Sequence, residues 1–185
     1  MFNRFVTTTA SASLTAAIGY KTYQQLKQDP SHADANQSAP FFHAAVVNNP
    51  HFKKRYKGGE DGFVISDSKK FIAVADGVGG WASKDICSGK CAKFLMKTCG
   101  ELFEKDHTQS LKDILLEGHK EIVKADIEGS TTAVLAKIEE SSDQATLKTL
   151  NFGDSAYLLL RPRDNMPMEK LFRSKEQTHF FNCPY

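Results

Sequence analysis

Two short apolar runs, Phe63-Val64-Ile65 and Phe71-Ile72-Ala73-Val74-Ala75, flank the polar stretch Ser66-Asp67-Ser68-Lys69-Lys70. Strand-forming residues on either side of a short polar turn predict an antiparallel hairpin. The constraint lies at its open end. The first run is entered through Gly59-Glu60-Asp61-Gly62, and the second leaves through Asp76-Gly77-Val78-Gly79-Gly80-Trp81. An antiparallel pair sets those ends side by side, so Glu60, Asp61 and Asp76 are expected at one end of a sheet. Clustered carboxylates repel one another unless cations or protons neutralise them. Oxygen donors of this kind suit hard divalent cations.

The rest of the chain alternates in kind. Residues 41–47 read as a strand closed by Asn48-Asn49-Pro50, and residues 51–59 as a basic loop ending in glycine. After Trp81 the period lengthens. Ile86, Cys91, Leu95, Cys99 and Leu102-Phe103 recur at helical spacing, with Ser83 or Ser88 as a cap. A second helix opens at Ser110-Leu111-Lys112-Asp113, a capping box, and buries Leu111, Ile114, Leu115, Ile122 and Val123. Strands return at residues 130–138, 146–151, 156–160 and 168–173, with residues 162–167 read as a loop. Strands, two helices, then strands predict an α+β domain with antiparallel sheets.

Three segments follow from composition. Residues 1–28 hold Arg4, Lys21 and Lys27, many hydroxyls and no acid, as in a mitochondrial targeting segment. No stretch there is long and apolar enough for a membrane span. Residues 29–40 are polar and proline-containing, a linker. Residues 41–185 form the domain. A net charge of +2 without a long basic run gives no sign of nucleic-acid binding. Cys87 and Cys91 have C-x3-C spacing, but no second pair completes a zinc site, and packing is the expected role of the cysteines.

The acidic turns carry the chemistry. Asp76 leaves a buried strand, so its side chain is held by rigid structure. Gly77, Gly79 and Gly80 leave room for a ligand, and the Gly77 carbonyl is a further hard-oxygen donor. Taken singly, Asp-Gly pairs are ordinary turns. Four ordered stretches change that balance: Gly59-Glu60-Asp61, Val74 to Trp81, Gly129-Ser130-Thr131-Thr132-Ala133 and Asn151-Phe152-Gly153-Asp154-Ser155. Together they resemble the metal-dependent Ser/Thr protein phosphatases, the PPM or type 2C family. Trp81 and the closing Phe181-Asn182-Cys183-Pro184-Tyr185 resemble its mitochondrial branch.

The resemblance implies a β-sandwich flanked by helices, with two Mg²⁺ or Mn²⁺ ions at one end. It implies phosphoserine and phosphothreonine hydrolysis in phosphoproteins by metal-activated water, without a covalent intermediate. Asp76 would bridge the ions and Gly77 would give its carbonyl. Glu60 would bind through water, and Asp61 would orient water or ligand. The stretches 129–133 and 153–155 would be structural. The sequence departs from the family pattern in three places. Val78 stands where many members have a histidine. Tyr56 stands where many have a phosphate-binding arginine, leaving Arg55 and Lys57 as flanking substitutes. No aspartate beyond Asp154 is suited to complete the metal shell, since Asp164-Asn165 lies between two prolines in a loop. The expectation is therefore the N-terminal portion of such a domain, its sandwich incomplete at the C-terminus and its activity alone weak or absent. The alternative is a non-catalytic phosphatase-like scaffold or assembly subunit, with a protein partner covering the incomplete sandwich.

Overall fold

The computed structural model describes residues 15–18, 39–142, 144–164, 166–180 and 183–184. The expected hairpin is present. Strand β3 (Asp61–Ile65) pairs antiparallel with β4 (Phe71–Asp76). Its turn is closed by side chains as well as backbone. The Ser66 hydroxyl accepts from the Phe71 amide at 3.0 Å, and Ser68 donates through its amide and hydroxyl to Glu104 at 3.0 and 2.7 Å. Strands β5 (Ala133–Glu140) and β6 (Ala145–Phe152) extend the sheet in the order β3-β4-β5-β6, antiparallel throughout.

Helices α1 (Ser88–Lys105) and α2 (Leu111–Lys124) cover one face of this sheet. Period-two alternation sends Phe71, Ala73, Ala75, Ala133 and Leu135 into that side, where they meet Cys91, Leu95, Met96, Cys99 and Phe103 of α1. The Phe71 and Phe103 rings stack at 5.0 Å between centroids. The approach of α1 is set by Gly62, where a Cβ would stand 2.4 Å from the Ala92 carbonyl oxygen. Burial pushes the Cys99 thiol up to about 12, in keeping with a packing role. The capping box at α2 forms as expected, with Ser110 accepting from the Asp113 amide at 3.1 Å. The caps expected for α1 do not. Its first flanking residue is Cys87, with no side-chain cap, and the Ser83 hydroxyl turns back to the Gly80 carbonyl at 2.9 Å.

The other face of the sheet is open. Phe63, Ile65 and Leu147 are 47%, 36% and 41% exposed there. Asp61 and Asp76 continue the same alternating columns, so the acids stand at one end of the open face. The α+β class with antiparallel sheets is as expected, and the described residues supply one helix-backed layer of it.

Beyond β6, strands β7 (Leu158–Arg163) and β8 (Met166–Arg173) form a separate hairpin. The loop expected over residues 162–167 is shorter than read, because Pro162 and Pro167 both lie within strands. A two-stranded ribbon has free edges on both sides, and a register shift beside Pro162 leaves its missing N–H without consequence. The hairpin is tied to the end of β6 through Asn151, which donates to the Lys175 carbonyl, and Gln177, which donates to the Asn151 carbonyl.

Strand β2 (Ala44–Val47) falls within the expected residues 41–47 and pairs with β1 (Thr15–Ile18). Apart from β1, the targeting segment 1–28 lies outside the described residues, as does the linker 29–40 up to its last two residues. Strands β9 (Thr178–Phe180) and β10 (Cys183–Pro184) pair at the end of the chain. Among the described residues no helix is long and apolar enough to cross a membrane.

Candidate metal and phosphate site

The hairpin register places Asp61 directly opposite Asp76. Both Asp61 carboxylate oxygens are buried without a protein donor among the described residues, and the residue is 1% exposed. A buried carboxylate without donors is costly, so it takes up a proton or a cation. Burial pushes Asp61 above the usual carboxylate range. Asp76 is pushed up to about 7, first by burial, then by the charge and contact of Asp61, then by the charges of Asp154 and Glu60. The negative charge of Asp61 beside it favours the protonated form of Asp76.

The loop carrying Asp76 is laced to the lead-in of β5. The Thr132 amide and the Thr131 hydroxyl both donate to the Asp76 carbonyl at 2.9 Å, and the Asp76 amide donates to the Thr132 hydroxyl at 3.0 Å. The Val78 amide donates to the Ser130 carbonyl at 2.9 Å, and the Trp81 indole N–H to the Ser130 hydroxyl at 2.7 Å. Gly77 is held between chains, since a Cβ there would lie 2.7 Å from both the Glu60 and Ser88 carbonyl oxygens.

Glu60 sits beside the pair but is engaged elsewhere. Its carboxylate pairs with Lys54 on one oxygen and accepts from the Ser88 hydroxyl at 3.1 Å on the other. Lys54 comes from a 3-10 segment, Phe52–Lys57, that closes on Gly58 in the left-handed region. Arg55 and Lys57, expected as phosphate ligands, lie on the same segment and are exposed. The Lys57 ammonium rests 5.3 Å from the centre of the Tyr56 ring.

Among the described residues, no group of three or more His, Cys, Asp or Glu is arranged to hold a metal ion. The donor set is Asp61, with both oxygens lacking a protein donor, opposite the Asp76 carboxyl, which fits part of the oxygen shell of a hard cation. Sequence reasoning missed two residues. Lys54 carried no signal beyond a basic loop, because its partner is fixed by the loop's tertiary path. Asp154, read as structural, acts on Asp76 electrostatically. Its place in Gly153-Asp154-Ser155 was the available signal.

Comparison with known proteins fits this geometry. Residues 65–173 match the family model described as Protein phosphatase 2C. The chain belongs to the protein phosphatase 2C family. The matched span of that family contains Asp76, Gly77 and Asp154 and starts after Glu60 and Asp61. Among relatives, Protein phosphatase PTC7 homolog fig of Drosophila grimshawi is 38% identical over 133 residues, covering 69% of this chain and 41% of that one. The same-named protein of Drosophila melanogaster is 34% identical over 170 residues, 84% of this chain and 51% of that one. Probable protein phosphatase 2C 26 of Arabidopsis thaliana is 35% identical over 137 residues, 74% and 43% respectively. The solved structure of the photosystem II phosphatase PBCP superposes with a TM-score of 0.60 at 28% identity, covering 74% of this chain and 51% of that one. The chain thus spans about half the length, or somewhat less, of the 2C phosphatases it matches.

Proposed function

We propose that the chain carries the acidic end of the active site of a metal-dependent protein Ser/Thr phosphatase acting on phosphoserine and phosphothreonine. The observation that carries this reading is Asp61, buried with no protein donor on either oxygen among the described residues, set opposite Asp76 in a chain of the 2C family. Asp76 would bridge two Mg²⁺ or Mn²⁺ ions, with the Gly77 carbonyl and Asp61 beside it and Glu60 reaching through water. When bound, the ions would supply charge to activate water and to neutralise the phosphoryl group. The residues themselves do the positioning. The hairpin register fixes Asp61 against Asp76, and the lacing to Ser130–Thr132 holds the loop. Val78 offers no proton to a leaving group, so that proton comes from solvent. Arg55 and Lys57 are exposed and basic on the same 3-10 segment as Lys54, suited to meet phosphate.

The test is a Mn²⁺ titration of the 185-residue chain, with phosphate release from a phosphopeptide measured in parallel. Saturable binding into the millimolar range, abolished by Asp76→Asn, is expected, with release slow or absent for a chain about half the length of its relatives. No binding at any concentration overturns the reading. Robust release lost in Asp76→Asn would show that these residues suffice. The open face bearing Phe63, Ile65 and Leu147 favours a second reading, a scaffold whose face a partner covers. A stable monodisperse monomer in solution counts against a required partner. We also propose mitochondrial import from the composition of residues 1–28, which a fluorescent fusion to that segment tests.

A further inference from the structure

Lys54 lies in an unusual position for a basic residue beside a prospective cation site. It reaches from the 3-10 segment to Glu60, while both oxygens of the neighbouring Asp61 have no hydrogen-bond partner among the described residues. The pair is half-sheltered, with the Lys54 side chain 35% and the Glu60 side chain 18% exposed. It also lies beside the glycine-rich loop. A Cβ at Gly79 would stand 3.4 Å from both the Lys54 ammonium and a Glu60 carboxylate oxygen. The ion pair therefore lies between the 3-10 segment and the glycine-rich loop, next to the acids. The neighbouring Lys93 is spent on structure, donating to the Lys57 and Gly59 carbonyls at 2.9 and 3.0 Å. Lys54 holds no such backbone acceptor in its ammonium contacts, so it can leave.

We propose that Lys54 is an internal counter-cation, holding Glu60 until a divalent cation enters and displaces it. The inference rests on the metal-site reading above and adds a competitor to it. An ammonium has one charge and a flexible stem, whereas a divalent cation has two charges and bonds to several oxygens. The exchange turns a neutralised Glu60 into an available ligand and frees a cation at the mouth of the site. Competition also means that Lys54 weakens cation binding while stabilising the metal-free chain.

The experiment compares the wild-type chain with Lys54→Met, Lys54→Arg, Glu60→Gln and the Lys54→Met/Glu60→Gln double variant. Melting is followed in EDTA and across a Mn²⁺ titration. In EDTA, Lys54→Met should melt lower than wild type, and that loss should vanish in the Glu60→Gln background. With Mn²⁺, Lys54→Met should half-saturate at about two- to fivefold lower concentration, the range of a partly exposed ion pair. Lys54→Arg, which keeps the charge, should stay near wild type. Unchanged or weaker Mn²⁺ binding in Lys54→Met overturns the proposal. So does an EDTA loss that persists without Glu60, which marks Lys54 as a mere fastening of its loop. If the wild-type chain binds no Mn²⁺, the metal-site reading fails and the exchange fails with it. Binding by wild type with no gain in Lys54→Met sinks the exchange alone.

Discussion

Lys137 and Asp61 are each 1% exposed and share one sheet, yet their surroundings are opposites. Lys137 points to the helix face, where it donates to the Gln109 carbonyl at 2.5 Å and the His107 carbonyl at 3.4 Å and pairs with Glu139 at 2.7 Å. Its charge ties the loop between α1 and α2 to β5. Asp61 lies at the far end of the sheet on the other face, with neither oxygen given a donor. A buried charge surrounded by partners is a fastening. A buried charge left without protein donors favours a proton or a cation beside it.

That contrast can be broken most severely at Lys137. Lys137→Ala should cost about 2–4 kcal/mol in denaturant unfolding, because it opens space in the core and removes the donor to the His107 and Gln109 carbonyls. Little or no loss would mean that its partners are incidental. Asp61→Asn should do the reverse in EDTA and raise the unfolding midpoint, since burial disfavours the Asp61 charge that the amide removes. The same variant should lose the stabilisation by Mn²⁺. A destabilised Asp61→Asn in EDTA would place Asp61 with the fastenings.

The smallest effect is in pH. Asp76 keeps its proton to about 7 in the fold against an ordinary value of 3.8. Between those values the folded chain holds more protons than the unfolded one. Stability from this group is therefore full below about 3.8 and is lost as pH rises through 7. In EDTA, moving from just above that window into its middle should raise Tm by about 2–4 °C. The shift should disappear in Asp76→Asn. A wild-type Tm that falls on the same acidification would contradict the raised affinity of Asp76 for its proton.

Much of this was legible in the sequence because it is local. The hairpin closes symmetrically about Ser68 and Lys69, which is why reading two strand-like runs was enough to set Asp61 beside Asp76. The Ser110 cap needed only its own turn. Ser88 was misread as a cap because its hydroxyl is claimed by Glu60, a contact that exists only once β3 and α1 pack. Lys54 and Lys137 were invisible for the same reason. A lysine's sequence neighbours do not reveal which distant loop will surround its ammonium. Pro162 and Pro167 were read as loop markers, a rule that fails on a ribbon with free edges.

The Ser130–Thr132 lacing gives the glycine-rich loop a character its composition hides. Three glycines in five residues suggest slackness, yet the backbone around Asp76 is fastened on both sides to the next strand. The glycines supply clearance, not motion. A ligand arriving there meets a seat already shaped, and the entropy of ordering it was spent when the sheet folded.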